Sequence, residues 1–499
     1  MWLLIRNKLL NLLPYLSVFI ASLYQPWDAD LGWHLKYGEY FFQHGQILKE
    51  NIFSTEMAGY YWPNTGWLSD LLTYQIFNGG GFLGLTIAAA LVVTLTFWFF
   101  AKAYQLDYYG KAVIFPLLLI MEKPINEISF RGQLVSILML GILMNFLLRA
   151  GKSKQLIFIP VLFTLWINLH GQFILGLVIL IIFSGLRILE NHTDFHRLNF
   201  PGIKKTLLES KFYFYLIGLS FAATFVNPFG VDIYKTAVSH FSNKDLQYII
   251  EYLPFEDLSE LWWNQMIFGV LIFLGLVYLF FSDEFKKHLP NMGIVGVLYG
   301  LSWWVRRYAW SMYYLGIPLL KPLADFVKPD SEKISRTSAT ILFIFYIGIA
   351  VYLKWPLSQF TDMNWQVYCV RYTNCSSQAV EYIRDNKLTD KLLNLYGWGG
   401  YMIWNYPEVK PSIDGRMHLW KDNKGYSAFS DYYALEQNWE DVDKSKYDTV
   451  LMWTDKPIYD RLEELVDEGK WAKAYEDEYA GVFTRIKNAT KSSEFILNN

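Results

Sequence analysis

Apolar residues in this chain are gathered into blocks long enough to traverse a lipid bilayer, and that pattern limits the fold more than any other feature. The blocks fall at about 9–24, 81–101, 112–122, 133–149, 155–168, 172–188, 212–226, 264–281, 291–305, 308–322 and 338–355. Most approach the roughly 20 residues that a helix needs to cross about 30 Å of hydrocarbon. The shortest block, 112–122, runs into Pro124 and Asn126 and reads as a helix ending at the interface. Only 18% of the 499 residues are charged, whereas a soluble domain carries roughly a quarter. The fold class expected is a polytopic α-helical membrane protein of about eleven spans over residues 1–357, followed by a soluble α/β domain over 358–499.

The first block is read as a retained span. Arg6 and Lys8 precede it, but Gln25-Pro26-Trp27-Asp28 follows it in place of a small-residue cleavage site. A net charge of −2 and the lack of a basic tail argue against nucleic acid as a partner.

Lys and Arg are unevenly shared between alternate connections. The connections holding Lys102, Arg149, Lys152, Lys154, Arg187, Lys204, Lys286 and Lys328 are richer than those holding Lys36, Lys123, Arg131 and Arg306. The positive-inside rule makes the richer set cytoplasmic, together with the N-terminus. An odd number of spans then puts the C-terminal domain outside, with a bacterial cell membrane as the expected location. The long loops 25–80 and 227–263 face the same outer side.

In the tail, Ser376–Asn386 reads as a helix with Ser377 as its cap. Lys391–Tyr396, Pro411–Asp414 and Thr449–Trp453 read as strands, and their alternation with helices suggests a parallel sheet. Cys369 and Cys375, the two cysteines of the chain, both fall in this domain. An outward location permits a disulfide, and two free thiols is the alternative.

The polar residues that stand out cluster at the outer ends of the blocks. Asp28 and Asp30 sit in Trp27-Asp28-Ala29-Asp30-Leu31-Gly32-Trp33-His34. Tryptophans at a membrane interface are ordinary anchors, but a carboxylate pair adds nothing to anchoring. Such a pair can take a proton from an acceptor hydroxyl, or hold a divalent cation such as Mg or Mn. Leu35–Phe42 and Trp67–Phe77 read as amphipathic helices along the interface.

Arg131, in Ser129-Phe130-Arg131-Gly132-Gln133, is either a snorkelling anchor or a clamp for a phosphate, which a planar guanidinium fork binds well. Asn168 and His170 break a tight outer turn, either as plain turn residues or as part of a sugar or phosphate pocket. Arg306 and Arg307 lie between apolar blocks beside Trp303, Trp304 and Trp310, as anchors or as a second phosphate site. Glu251, Glu256 and Asp257 are weaker candidates in the second long loop. Asp414 and Arg416 follow an expected strand, as site residues of α/β sheets often do. The glycines of Tyr396-Gly397-Trp398-Gly399-Gly400-Tyr401 would let backbone approach a sugar closely, and their spacing is not a dinucleotide fingerprint.

Taken together, these segments resemble the GT-C superfamily of membrane glycosyltransferases, which includes protein O-mannosyltransferases, lipid A aminoarabinose transferases and oligosaccharyltransferase catalytic subunits. The resemblance rests on the acidic pair in the first outward loop, the interfacial helices, the span count and the soluble tail. It also rests on Asp28–Leu35, Phe130–Leu134, Trp166–Gly171 and Ile413–Arg416, which are similar to segments of uncharacterised bacterial members. It implies an inverting sugar transfer from a polyprenyl-phosphate donor on the outer face, with membrane lipids as surroundings. Asp28 and Asp30 would be catalytic, and Arg131, Arg306, Arg307 and His170 would bind the donor phosphate. Trp33, His34, Gln133, Asn168, Trp304, Asp414 and Arg416 would line the substrate pocket. A shared depth at the outer boundary suggests that these residues meet in one cavity. Two other classes fit the composition: a transporter or flippase for a lipid-linked or polysaccharide substrate, and a non-catalytic envelope assembly protein. A transporter would carry its charges mid-span rather than at the rim, and an assembly protein would need no acidic pair.

Overall fold

A computed structural model describes residues 10–128, 130–192, 203–255, 260–282 and 285–486. Arg6, Lys8, Ser129, Glu256 and Asp257 lie outside the described residues. The chain is largely helical and divides into two compact units. One comprises 1–27 with 63–362, the other 28–62 with 363–499.

In the first unit every apolar block carries a helix. The chain order is Leu13–Ala21, Trp67–Ala103, Tyr108–Met121, Gly132–Arg149, Lys152–Leu169, Phe173–His192, Ile203–Ala223, Glu260–Phe280, Phe285–Trp304, Ala309–Leu315 with Ile317–Phe326, and Glu332–Leu353. Among the described residues four helices are long and apolar enough to cross a membrane: Trp67–Ala103, Gly132–Arg149, Leu261–Phe280 and Glu332–Leu353. Their outward side chains, such as Leu91, Leu95, Phe273 and Ile344, are large and apolar. A helix satisfies its own backbone, so an apolar surface of this kind suits hydrocarbon. The expected pair Trp67–Phe77 and 81–101 is one helical run broken at Gly81, whose φ of 56° and ψ of −149° only glycine adopts readily. The block 308–322 is likewise two helices, divided at Gly316 and restarted by Pro318 near the new N-terminus.

The second unit contains a four-stranded sheet of order β1-β2-β4-β3: β1 Leu392–Asn394, β2 Thr449–Trp453, β3 Trp471–Glu476 and β4 Ala480–Arg485. β1 and β2 are parallel, with Leu392 opposite Thr449. β4 runs antiparallel to both β2 and β3. The sheet is therefore mixed rather than parallel. The expected strand Pro411–Asp414 does not form. Instead the Asn394 side-chain oxygen at the end of β1 accepts the N–H of Ser412 at 2.7 Å and that of Ile413 at 3.3 Å, doing for this segment what a ladder would. The helix Ser377–Asp385 is capped one residue earlier than expected, by Ser376 Oγ accepting from Ala379 N–H at 3.0 Å.

Residues 28–62 belong to this unit by packing. The helix Leu31–His44 extends beyond the expected 35–42 at both ends and stops at Gly45. An antiparallel bridge between Glu50 and Tyr61 closes the loop that follows. The helix packs against Gly399–Asn405. Cys369 and Cys375 are joined in a disulfide, with Cα atoms 5.0 Å apart.

Candidate functional site

In the second unit, the three segments singled out by sequence come together through glycines. A Cβ placed on Gly32 would stand 1.9 Å from the carbonyl oxygen of Gly400, and one on Gly400 would stand 2.3 Å from that of Ala29. The first turn of helix Leu31–His44 thus rests on the first turn of Gly399–Asn405, backbone against backbone. A Cβ on Gly415 would fall 1.7 Å from Asp30 Oδ1 and 2.6 Å from its Cγ, so the Asp30 carboxylate lies against the bare Cα of Gly415.

Asp28 supports this turn. Its Oδ1 accepts the Asp30 N–H at 3.0 Å, and its carbonyl accepts the Leu31 N–H at 2.9 Å and the Tyr368 hydroxyl. Asp28 is buried, whereas Asp30 is partly exposed. Trp33 is buried, 3.6 Å from the neighbouring His34 ring between centroids and edge-on to Trp62 at 5.6 Å.

Asp414 and Arg416 make a clamp rather than an open pocket wall, since both side chains are 0% exposed. Arg416 Nε donates to Asp414 Oδ1 at 2.7 Å and Nη2 to Oδ2 at 2.8 Å. Nη2 also donates to Asn51 Oδ1 at 3.0 Å and Ser54 Oγ at 2.8 Å, and the Ser54 hydroxyl donates to Asp414. Phe53, Trp62 and Trp420 surround the guanidinium at 5.1–5.4 Å, which is cation–π distance. Burial pushes the Asp414 carboxyl up, but Arg416 and the hydrogen bonds from Ser54 and the backbone outweigh it and hold it below the ordinary carboxylate range.

The first unit holds the second cluster. Arg131, in extended conformation, precedes the helix Gly132–Arg149. Its Nη1 stands 3.6 Å from Glu251 Oε1, and Arg307 Nη1 stands 3.2 Å from Glu251 Oε2. Arg307 also donates to the Tyr252 hydroxyl at 2.7 Å. Burial raises the pKa of Tyr252 despite Arg307 beside it, so it remains a neutral phenol that can accept. The three charged side chains stay about a quarter exposed. Arg306 turns elsewhere: its Nε donates to the Pro254 carbonyl at 2.9 Å, and its guanidinium lies over Phe255.

His170 ends the helix Lys152–Leu169, and its ring abuts Gly132, the neighbour of Arg131. A Cβ there would stand 2.9 Å from His170 Cδ2. Ser136 Oγ accepts from Trp166 Nε1 at 2.8 Å and lies 2.8 Å from His170 Nδ1, which also faces the Gln172 N–H at 3.4 Å. Nδ1 therefore acts as an acceptor and the ring proton sits on Nε2. Asn168 accepts from Trp67 Nε1 at 2.9 Å and donates to the carbonyls of Thr164 and Val226, which makes it a helix-joining residue. Gln133 is buried, and its Nε2 meets no acceptor among the described residues. Trp304 is exposed.

Sequence reasoning gave Glu251 little weight, passed over Tyr252 and Ser136, and took in Gly415 only as part of the segment Ile413–Arg416. Nothing local marks the first three, because their partners are distant in the chain. Among the described residues no three His, Cys, Asp or Glu side chains gather where a metal ion could be held. Asp28 and Asp30 would have to supply most of such a site alone, and Asp28 already commits one oxygen to a backbone N–H.

No family model and no curated protein matches the chain. Its fold is similar to that of the oligosaccharyltransferase of Archaeoglobus fulgidus, solved as a crystal structure in the apo form. The TM-score is 0.51, with 11% identity over 89% of this chain and 69% of that one. The likeness is one of fold.

Proposed function

We propose that the chain is a membrane glycosyltransferase that moves a sugar from a polyprenyl-phosphate donor to an acceptor hydroxyl, with inversion, on the outer face of the membrane. The observation that carries this reading is the likeness of fold to an enzyme named as an oligosaccharyltransferase, over 89% of the chain. The pairing of Arg131 and Arg307 around one carboxylate supports it, because two guanidinium groups aimed at a single anion suit a phosphate.

In the proposed reaction the acceptor oxygen bonds to the anomeric carbon from the face opposite the phosphate. The bond from that carbon to the phosphate oxygen breaks, and its electron pair leaves on the lipid phosphate. Arg131 and Arg307 neutralise the charge that develops there, the largest usual contribution to rate. The acceptor proton passes to Asp30, whose position Asp28 helps to fix. General base assistance is worth about 10²–10⁴-fold.

The test is a reconstituted preparation supplied with a polyprenyl-phosphate hexose or pentose, with the lipid products read by mass spectrometry. Free polyprenyl phosphate should form, and Asp30→Asn should slow its formation by about 10²–10⁴-fold while the protein remains folded. Movement of intact donor between leaflets without phosphate release would instead identify a flippase and overturn the reading.

A further inference from the structure

The Asp30 carboxylate is not placed by its own stretch of chain alone. At the start of a helix an aspartate ordinarily turns back onto the first N–H groups, yet the Asp30 side chain makes no such capping bond. It lies over the Cα of Gly415 instead, so close that a Cβ there would require the carboxylate to shift. The loop bearing Gly415 is itself fixed on both sides. Asp414 and Arg416 flank it, bind each other through three hydrogen bonds, and reach Ser54 and Asn51 in the first loop. Gly400 seats the Ala29–Asp30 backbone from a second direction.

We propose that Gly415 is a positioning residue for the Asp30 carboxylate, with the buried Arg416–Asp414 pair holding Gly415 in place. This rests on the reading of Asp30 as the general base. The C-terminal segment 413–416 then acts on the reaction through Asp30. The chemistry requires such support. A carboxylate that takes a proton during bond formation must sit within hydrogen-bond reach of the acceptor oxygen, and a misplacement of about 1 Å can cost about 10²-fold in rate. A methyl group on Gly415 cannot share space with Asp30 Oδ1 at 1.7 Å, so the carboxylate must move by more than that margin.

The experiment compares wild type, Gly415→Ala, Asp30→Asn and the double variant in single-turnover transfer, with the pH profile of kcat/KM and a thermal melt for each. Gly415→Ala should lower the rate by about 10²-fold, leave the donor KM within about twofold and shift the acidic limb of the profile. In the Asp30→Asn background the same change should cost nothing further. A wild-type rate and pH profile for Gly415→Ala, or an equal loss with and without the Asp30 carboxylate, overturns the proposal. Full activity of Asp30→Asn alone overturns instead the reading of Asp30 as base. Should Gly415→Ala not fold, Ser54→Ala decides. It loosens the clamp without touching Asp30, so a several-fold lower kcat at unchanged KM is expected, and an unchanged kcat overturns the proposal.

Discussion

Arg307 and Glu251 stand 3.2 Å apart, and Arg131 approaches the other oxygen of the same carboxylate at 3.6 Å. Two guanidinium groups share the one negative charge of Glu251, so the cluster keeps an excess of positive charge for a better anion. A phosphate carries more acceptor oxygens and more charge. Glu251→Gln should therefore tighten binding of polyprenyl phosphate, by up to about tenfold, or about 1.4 kcal/mol. Arg307→Ala should weaken it by at least as much. Titration calorimetry in nanodiscs measures both. Weaker binding by Glu251→Gln would mean that the carboxylate organises the arginines rather than competing for them.

Asp414→Asn should destabilise the second unit by about 3–5 kcal/mol, because it leaves the Arg416 charge buried without its partner. The pH dependence follows from the lowered carboxyl pKa. The folded value lies below the ordinary 3.8, so Asp414 contributes stability that is fully present above pH 3.8 and is lost as pH falls through the folded value. Acid melts of wild type should show this loss, and those of Asp414→Asn should not.

The Cys369–Cys375 disulfide closes a short loop. Free-thiol counts on denatured protein should rise by two on reduction. Cys369→Ser should lower the stability of the second unit by about 2–3 kcal/mol, the size usual for such a loop. An unchanged thiol count would show that the bond is not formed in cells.

Orientation is checked by single cysteines and an impermeant thiol reagent on intact cells. Cysteine at Lys152 or Lys328 should be protected, and cysteine at Asn438 should react. Reaction at all three would refute the positive-inside assignment.

The helices of the first unit are legible in sequence because an apolar block declares itself locally, and the triple glycine before Phe82 even marks where one of them breaks. The sheet is less so. β3 and β4 form a hairpin in which Lys473 and Glu476 stand exposed, and these charges mask the alternation that identifies a strand. The site shows the same division. Asp28 and Asp30 stand out because an acidic pair beside a membrane block needs a reason. Asp414 and Arg416 stand out too, but their burial depends on Ser54, 360 residues away from Asp414 in the chain. Likewise, no sequence window holds Arg131, Glu251 and Arg307 together.

The second unit is assembled from two stretches with some 300 residues between them, 28–62 and 363–499. A ribosome adding about 5–20 residues per second needs roughly 15–60 s to bridge that interval. Throughout that time the aromatic faces of Trp33, Tyr37 and Trp62 wait without Trp420 and the guanidinium of Arg416. Biogenesis must therefore shield an unfinished patch until the last quarter of the chain has been made. A message truncated anywhere before Arg416 would yield a product whose first loop never finds its partners, and quality-control proteases would see the same exposed tryptophans whatever the point of truncation.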